Sequence, residues 1–200
     1  MLDRRSLLNA AALTGATLAL SDCARAAAPV PAGDPNDPGP EARMLAARTG
    51  LWDVVETVWA GPGVAAVTTT GLVAERRMMG SLLQEILRPL SDTGLHDVSR
   101  TDLLSFHRLE GRWGYVSFDT RAPVGLMHAW SDAHGNETID LTFAPFAVPG
   151  PTGSGQLMRM RQVIRFESAD REVKDQFFTL AGANATPWLA HRYAYRRRAG

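Results

Sequence analysis

Hydrophobic and polar residues alternate in short runs along most of the chain after residue 50, and turn-forming residues separate the runs. Successive side chains of a β-strand point to opposite faces, so this alternation predicts strands with one buried face. The clearest example is segment 157–166, in which apolar residues share one face and arginines share the other. The apolar residues are Met158, Met160, Ile164 and Phe166, and the arginines are Arg159, Arg161 and Arg165.

About ten such runs follow one another, with turn signals roughly every 8–12 residues and no long helical pattern. A short helical turn is predicted at 41–49, ahead of the first strand. A long antiparallel meander leaves two exposed edges unless it closes, so we expect an all-β, single up-and-down barrel, with a two-sheet sandwich as the alternative. The predicted strands are 51–59, 64–77, 81–88, 102–108, 112–119, 125–131, 138–143, 157–166, 173–181 and 188–196.

The N-terminus has the pattern of a twin-arginine export signal. Arg4 and Arg5 precede an apolar segment at 10–20, which is shorter than the ~20 residues needed to span a bilayer. Ala24 and Ala26 fit the small-x-small rule for cleavage, which predicts a mature chain from residue 27. Cys23 offers a competing lipidation site, although Asp22 occupies a position that requires a small residue.

These features divide the chain into a signal peptide at 1–26, a flexible Pro/Gly-rich linker at 27–44 and a barrel domain at 45–198. We expect a periplasmic or secreted protein that uses the twin-arginine translocation machinery, or a lipoprotein anchored at Cys23. In its mature form we expect no stable membrane span.

Cysteine usage and charge exclude several classes of function. Cleavage after Ala26 removes Cys23, the only cysteine, and with it any disulfide, thiol nucleophile or thiolate ligand. The same cleavage removes three of 21 basic and two of 21 acidic residues, which leaves 18 and 19 and a formal charge near −1. Such a chain has no net basic field for nucleic acid or for an anionic membrane surface.

Four short motifs carry a family resemblance. They are Gly50-x-Trp52-Asp53-Val54, Arg77-x-Met79-Gly80-Ser81-Leu82-Leu83-Gln84-Glu85, Trp130-Ser131-Asp132 and Tyr195-x-Arg197. With these motifs, residues 45–198 resemble the bacterial lipocalin-like barrels known as domain of unknown function 1579. The resemblance implies a calycin-type β-barrel and brings no established activity or catalytic residue. The chain has Phe106-His107 where the family usually has a tyrosine-aspartate pair, and Ser81 where it usually has a second glycine.

No catalytic or cofactor motif is found in the sequence. None of the five histidines pairs at the i, i+4 spacing of zinc hydrolases, and Gly153-Ser154-Gly155 lacks the spacing of a nucleophile elbow. We therefore predict no catalytic residue and no metal site, and the cofactor, if any, stays unknown. One alternative is a metal at the barrel rim, where His128 and His134 bracket a turn that contains Asp132 and Glu137.

Aromatic and polar residues on the predicted inner faces suggest a binding function. Small barrels of this size hold one small molecule among such side chains, so we expect an apolar or aromatic ligand in the lumen. The same rings fill the core in the simplest structural interpretation. Two other functions stay open: an isomerase- or cyclase-type enzyme with His128 or Asp119 as acid or base, and an envelope interaction module. The candidate ligand-binding residues are His107, Trp113, Tyr115, His128, Trp130 and Tyr193.

Overall fold

The alternating segments of the sequence form antiparallel strands in the computed structural model, which describes residues 37–122, 124–131, 137–147, 157–181 and 185–199. One short helix, α1 (Gly39–Ala46), precedes them. The strands are β1 (Gly50–Val58), β2 (Val67–Met79), β3 (Leu82–Pro89), β4 (Arg100–His107), β5 (Arg112–Asp119), β6 (Leu126–Trp130), β7 (Thr138–Phe143), β8 (Phe146–Ala147), β9 (Leu157–Phe166), β10 (Arg171–Leu180) and β11 (Trp188–Arg197).

Ten of these strands close into a barrel. Strands β1 to β7 pair with their neighbours in chain order, β7 pairs with β9, and β9, β10 and β11 continue the meander. The ring closes where β11 pairs with β1, with Val54 opposite Tyr195. The two-residue strand β8 pairs with the start of β9 beyond the end of β7. This confirms the predicted all-β antiparallel barrel and excludes the two-sheet sandwich.

Helix α1 covers one end of the barrel. Its Leu45 is completely buried and packs with Leu83 and Leu104 on the inner face of β3 and β4. The indole of Trp52 donates a hydrogen bond to the carbonyl oxygen of Arg48 at 3.0 Å, and Arg197 Nη1 donates to the carbonyl oxygen of Thr49 at 2.6 Å. The helix begins inside the range that the sequence assigns to the linker, 27–44.

The barrel interior changes character from one end to the other. Near α1 it is apolar, and two tryptophans, Trp52 and Trp113, are completely buried there. Further from α1 the inward positions of β2, β3, β4 and β10 carry charged side chains. Within the described residues, no helix is both long enough and apolar enough to cross a membrane.

Candidate functional site

Six charged side chains lie in the middle of the lumen. Strict alternation along β2, β3, β4 and β10 places them on inner faces, and none exposes more than 5% of its side chain. Three are cations and three are anions, so the formal charges balance. We call this set the ion network: Arg76, Glu85, Arg100, Asp102, Glu172 and Lys174.

Direct hydrogen bonds connect the members of the ion network. Arg76 binds Glu172 through two bonds of 2.8 Å and also contacts Glu85 at 2.6 Å. Lys174 Nζ donates to Glu85 at 3.0 Å and to Asp102 at 2.9 Å. A buried charge is tolerated only when it is paired and hydrogen-bonded, and this arrangement meets that condition.

The ionisation states follow from these contacts. Burial disfavours the charged ammonium of Lys174, but Asp102 and Glu85 outweigh that effect and hold its pKa well above the ordinary value. Burial would raise the pKa of Glu85, but Lys174, Arg76 and Arg100 hold it well below the usual range. Burial also raises the pKa of Tyr195 to about 12. Lys174 and Glu85 are therefore both ionised at neutral pH, in the centre of the lumen.

A cavity of about 340 Å³ lies at the end of the barrel opposite α1. The cavity lies next to the ion network, at the barrel end where β1 and β5 end and where β4, β6 and β9 begin. Its volume reaches the ~300 Å³ lower end for ligand pockets. The apolar part of its wall includes Val58, Val124, Met127, Phe146, Met158, Met160 and Phe178.

Polar groups converge on one side of this cavity. Glu56 accepts a hydrogen bond from Arg121 Nη1 at 2.7 Å, and its other oxygen lies 3.2 Å from His191 Nδ1. Burial alone would raise the pKa of the Glu56 carboxyl, but hydrogen bonds from His191 and Arg121 lower it to about 2. Arg121 also binds Asp119 at 2.8 Å. Glu56 is therefore a carboxylate at every pH at which the protein is expected to work.

The floor of the cavity includes Arg100, a member of the ion network. Its guanidinium lies 4.1 Å from the centre of the Tyr193 ring. Arg100 Nη2 contacts Glu85 at 3.2 Å, whereas Nη1 has no hydrogen-bond partner within the described part of the chain. The ion network thus ends in an arginine that faces the aromatic wall of the cavity.

Three of the six predicted ligand-binding residues lie inside the barrel. Tyr193 is almost completely buried and lines the cavity. Tyr115 lies beside the ion network, with its hydroxyl 3.5 Å from Lys174 Nζ, and Trp113 packs edge-on against Phe106 at 5.1 Å between ring centres. Tyr193 is thus the member of the predicted set that contacts the cavity.

The other three lie outside the lumen, which corrects the sequence interpretation of β6. Ala129 pairs with the inward-facing Tyr115, and directly paired residues share one face of a sheet. His128 and Trp130 therefore point outward, and His107 lies at the exposed end of β4 beside Glu110. All three line one open groove on the outer surface. The sequence of β6 has apolar residues on both faces, so it does not show which face is buried. The packing of Ala129 against Tyr115 and Phe143 places the Ala129 face inside the barrel.

Sequence reasoning missed Glu56, Arg100 and Arg121. Glu56 continues the inward series of Trp52 and Val54, so the period of two was a usable signal. Within the described residues, no group of three histidine, cysteine, aspartate or glutamate side chains could hold a metal ion. His134 and Asp132 of the alternative rim site lie outside the described residues.

Comparison with known proteins finds similarity at the level of structure only. No protein-family model matches the chain, and no curated protein matches it. A solved structure, the crystal structure of Rv2717c from M. tuberculosis, is similar with a TM-score of 0.48 and 13% identity, covering 80% of this chain and 99% of that chain. The fold assignment therefore rests on the strand pairing of this chain itself, and the resemblance to domain of unknown function 1579 stays a prediction.

Proposed function

We propose that this barrel binds a small apolar or aromatic molecule in the cavity opposite α1. The observation that carries the proposal is the cavity itself, about 340 Å³ in volume, whose wall combines apolar and aromatic side chains with polar and charged ones. Binding sites for small molecules commonly combine these two features, because apolar walls supply affinity and a few polar groups fix orientation.

The wall of the cavity suits an aromatic guest. Three methionines, Met127, Met158 and Met160, contribute flexible, polarizable side chains that adapt to the shape of a ligand and pack well against rings. Phe146 and Phe178 meet edge-on, with ring centres 6.3 Å apart. The ion network beneath them closes the lumen, so the bound molecule would stay at this end of the barrel.

Export supports the same function from the sequence side. A binding barrel that leaves the cytoplasm already folded would meet its ligand in the periplasm or outside the cell. The twin arginines Arg4 and Arg5 and the small residues Ala24 and Ala26 support this location.

The direct test is native mass spectrometry of the exported protein, combined with titration by 1-methylnaphthalene. We expect a bound mass that is lost on denaturation, or saturable binding of the probe at one site. Met158→Trp should fill the cavity and abolish binding, whereas Leu157→Trp, which is half-exposed on the opposite face of β9, should not. A protein that carries no bound mass and does not bind the probe would contradict the proposal.

A second candidate function is an isomerase- or cyclase-type enzyme, which the Glu56–His191 pair favours. A histidine held by a carboxylate at the wall of a cavity is suited to act as a general base. The test is exchange of the α-protons of 2-indanone in D2O, followed by NMR. Catalysed exchange that is lost in His191→Gln supports the enzyme, and a rate equal to that of buffer rejects proton abstraction from this ketone.

A further inference from the structure

His191 occupies a defined position in the wall of the cavity. Its side chain is about one quarter exposed and contacts two aromatic rings, with ring centres 5.6 Å from Phe178 and 6.0 Å from the parallel ring of Tyr193. Its Nδ1 is 3.2 Å from Glu56 Oε1 and 3.5 Å from the hydroxyl of Tyr193. The imidazole is therefore in contact with two aromatic rings and with two polar groups near Nδ1.

These contacts fix the tautomer of the neutral imidazole. Glu56 is ionised and can only accept a hydrogen bond, so the nitrogen that faces it must carry the proton. The lone pair is then on Nε2. This nitrogen has no hydrogen-bond partner within the described residues, although His191 lines the cavity. In the neutral form of His191, the wall of the cavity therefore contributes Nε2 as a hydrogen-bond acceptor.

We infer that the cavity takes a hydroxylated aromatic molecule whose O–H group donates a hydrogen bond to His191 Nε2. This inference rests on the proposed binding function and specifies the ligand class. A phenolic hydroxyl is a good donor to a neutral imidazole, and its ring suits the methionine and phenylalanine wall.

The charges around the cavity favour a neutral ligand over an anion. Glu56 and Asp119 bring two carboxylates, and Arg121 binds both of them. Arg100 is already compensated by Asp102 and Glu85 in the ion network. A carboxylate ligand would therefore add an uncompensated negative charge, whereas a phenol adds none.

Equilibrium dialysis with two compounds of matched shape tests the inference. The probes are 1-naphthol and 1-methylnaphthalene, in which a methyl group replaces the hydroxyl. A purely apolar cavity would favour the methyl compound, because burial of an unpaired hydroxyl is unfavourable. With His191 Nε2 as acceptor, we expect wild-type protein to bind 1-naphthol about tenfold more tightly.

Variants assign that preference to one residue. In His191→Phe the preference for the hydroxyl should be lost while 1-methylnaphthalene still binds. In His128→Phe, a matched change on the outer face of β6, the preference should persist. In wild-type protein with 15N-labelled histidine, the chemical shift of His191 Nε2 should change when 1-naphthol binds and not when 1-methylnaphthalene binds. This measurement does not depend on whether a variant folds.

The outcomes separate the two proposals. Binding of both compounds with no preference for the hydroxyl, or an unchanged preference in His191→Phe, would overturn the hydroxyl assignment and leave the binding function standing. Binding of neither compound would count against the cavity as a ligand site and so against both.

Discussion

Lys174 shows what a single residue of the ion network contributes. It is the only lysine in the chain, and its Nζ bridges Glu85 and Asp102 in the centre of the barrel. Lys174→Met would leave these buried carboxylates with one cation fewer. We expect the free energy of unfolding to fall by about 3–5 kcal/mol, as measured by urea denaturation at pH 7.

Arg161→Met is the matched control for that substitution. Arg161 pairs with Asp140 on the outer surface, where both side chains are about half exposed. Solvent screens such a pair, so its loss should change the unfolding free energy by less than about 1 kcal/mol. If Lys174→Met were no more destabilising than Arg161→Met, the ion network would not hold the barrel together as described.

Glu56 predicts how stability depends on pH. Its pKa is about 2 in the folded protein and 4.5 in its ordinary state, so the unfolded chain binds the proton more tightly. The stabilisation is therefore complete above about pH 5 and is lost as the pH falls towards 2. This stabilisation is on the order of 3 kcal/mol.

Denaturation from pH 7 to pH 2 tests this dependence. The unfolding free energies of wild type and Glu56→Gln should differ by that amount at pH 7 and should converge in acid. A constant difference across this range would contradict the assigned pKa.

At the scale of elements, α1 acts as the closure of one barrel end. The helix contacts the barrel chiefly through Leu45, which is completely buried among Leu83 and Leu104. Leu45→Ala should lower the unfolding free energy by about 2–5 kcal/mol, since it removes buried methyl groups and leaves a cavity. Leu109→Ala, in the exposed β4–β5 turn, is the control and should change it by less than about 0.5 kcal/mol. Equal effects would mean that α1 is not part of the folded core.

Most elements could be predicted from alternation because one face of nearly every strand is buried. The predicted ranges 112–119, 138–143 and 157–166 agree with β5, β7 and β9, and the others differ by at most three residues at an end. The helix predicted at 41–49 begins two residues earlier, at Gly39. Strand β8 was missed, since two residues cannot display a period.

The candidate site was harder to predict because its inward positions are polar. Charged side chains at Arg76, Glu85 and Lys174 have the pattern of a solvated face, and only the closed ring of strands reveals that they compensate one another. His191 and Tyr193 are two residues apart in β11, so strand alternation places them on one face. Contact between His191 and Glu56 depends on the pairing of β1 with β11, which joins the two ends of the barrel sequence.

At the scale of the whole molecule, barrel closure brings together the two ends of the barrel sequence. The first and last strands must pair before the ring exists, so the barrel closes only after β11 has been synthesised. Residues 27–200 contain no cysteine, so this folding needs no oxidising compartment. A barrel of this kind can therefore fold in the cytoplasm and leave by the twin-arginine route, which carries folded proteins.

If the N-terminus is a twin-arginine signal, export should depend on Arg4 and Arg5. Replacement of both by lysine keeps the charge of the signal and removes the arginine pair, so the protein should accumulate inside a bacterial host. Arg25→Lys is the control, because it makes the same exchange outside the pair. The periplasmic fraction should contain the wild type and the control, each with the denatured mass of a chain that begins at Ala27. Undiminished export of the double variant would contradict the twin-arginine assignment. A lipid-modified chain that begins at Cys23 would show that the protein is a lipoprotein and is not cleaved after Ala26.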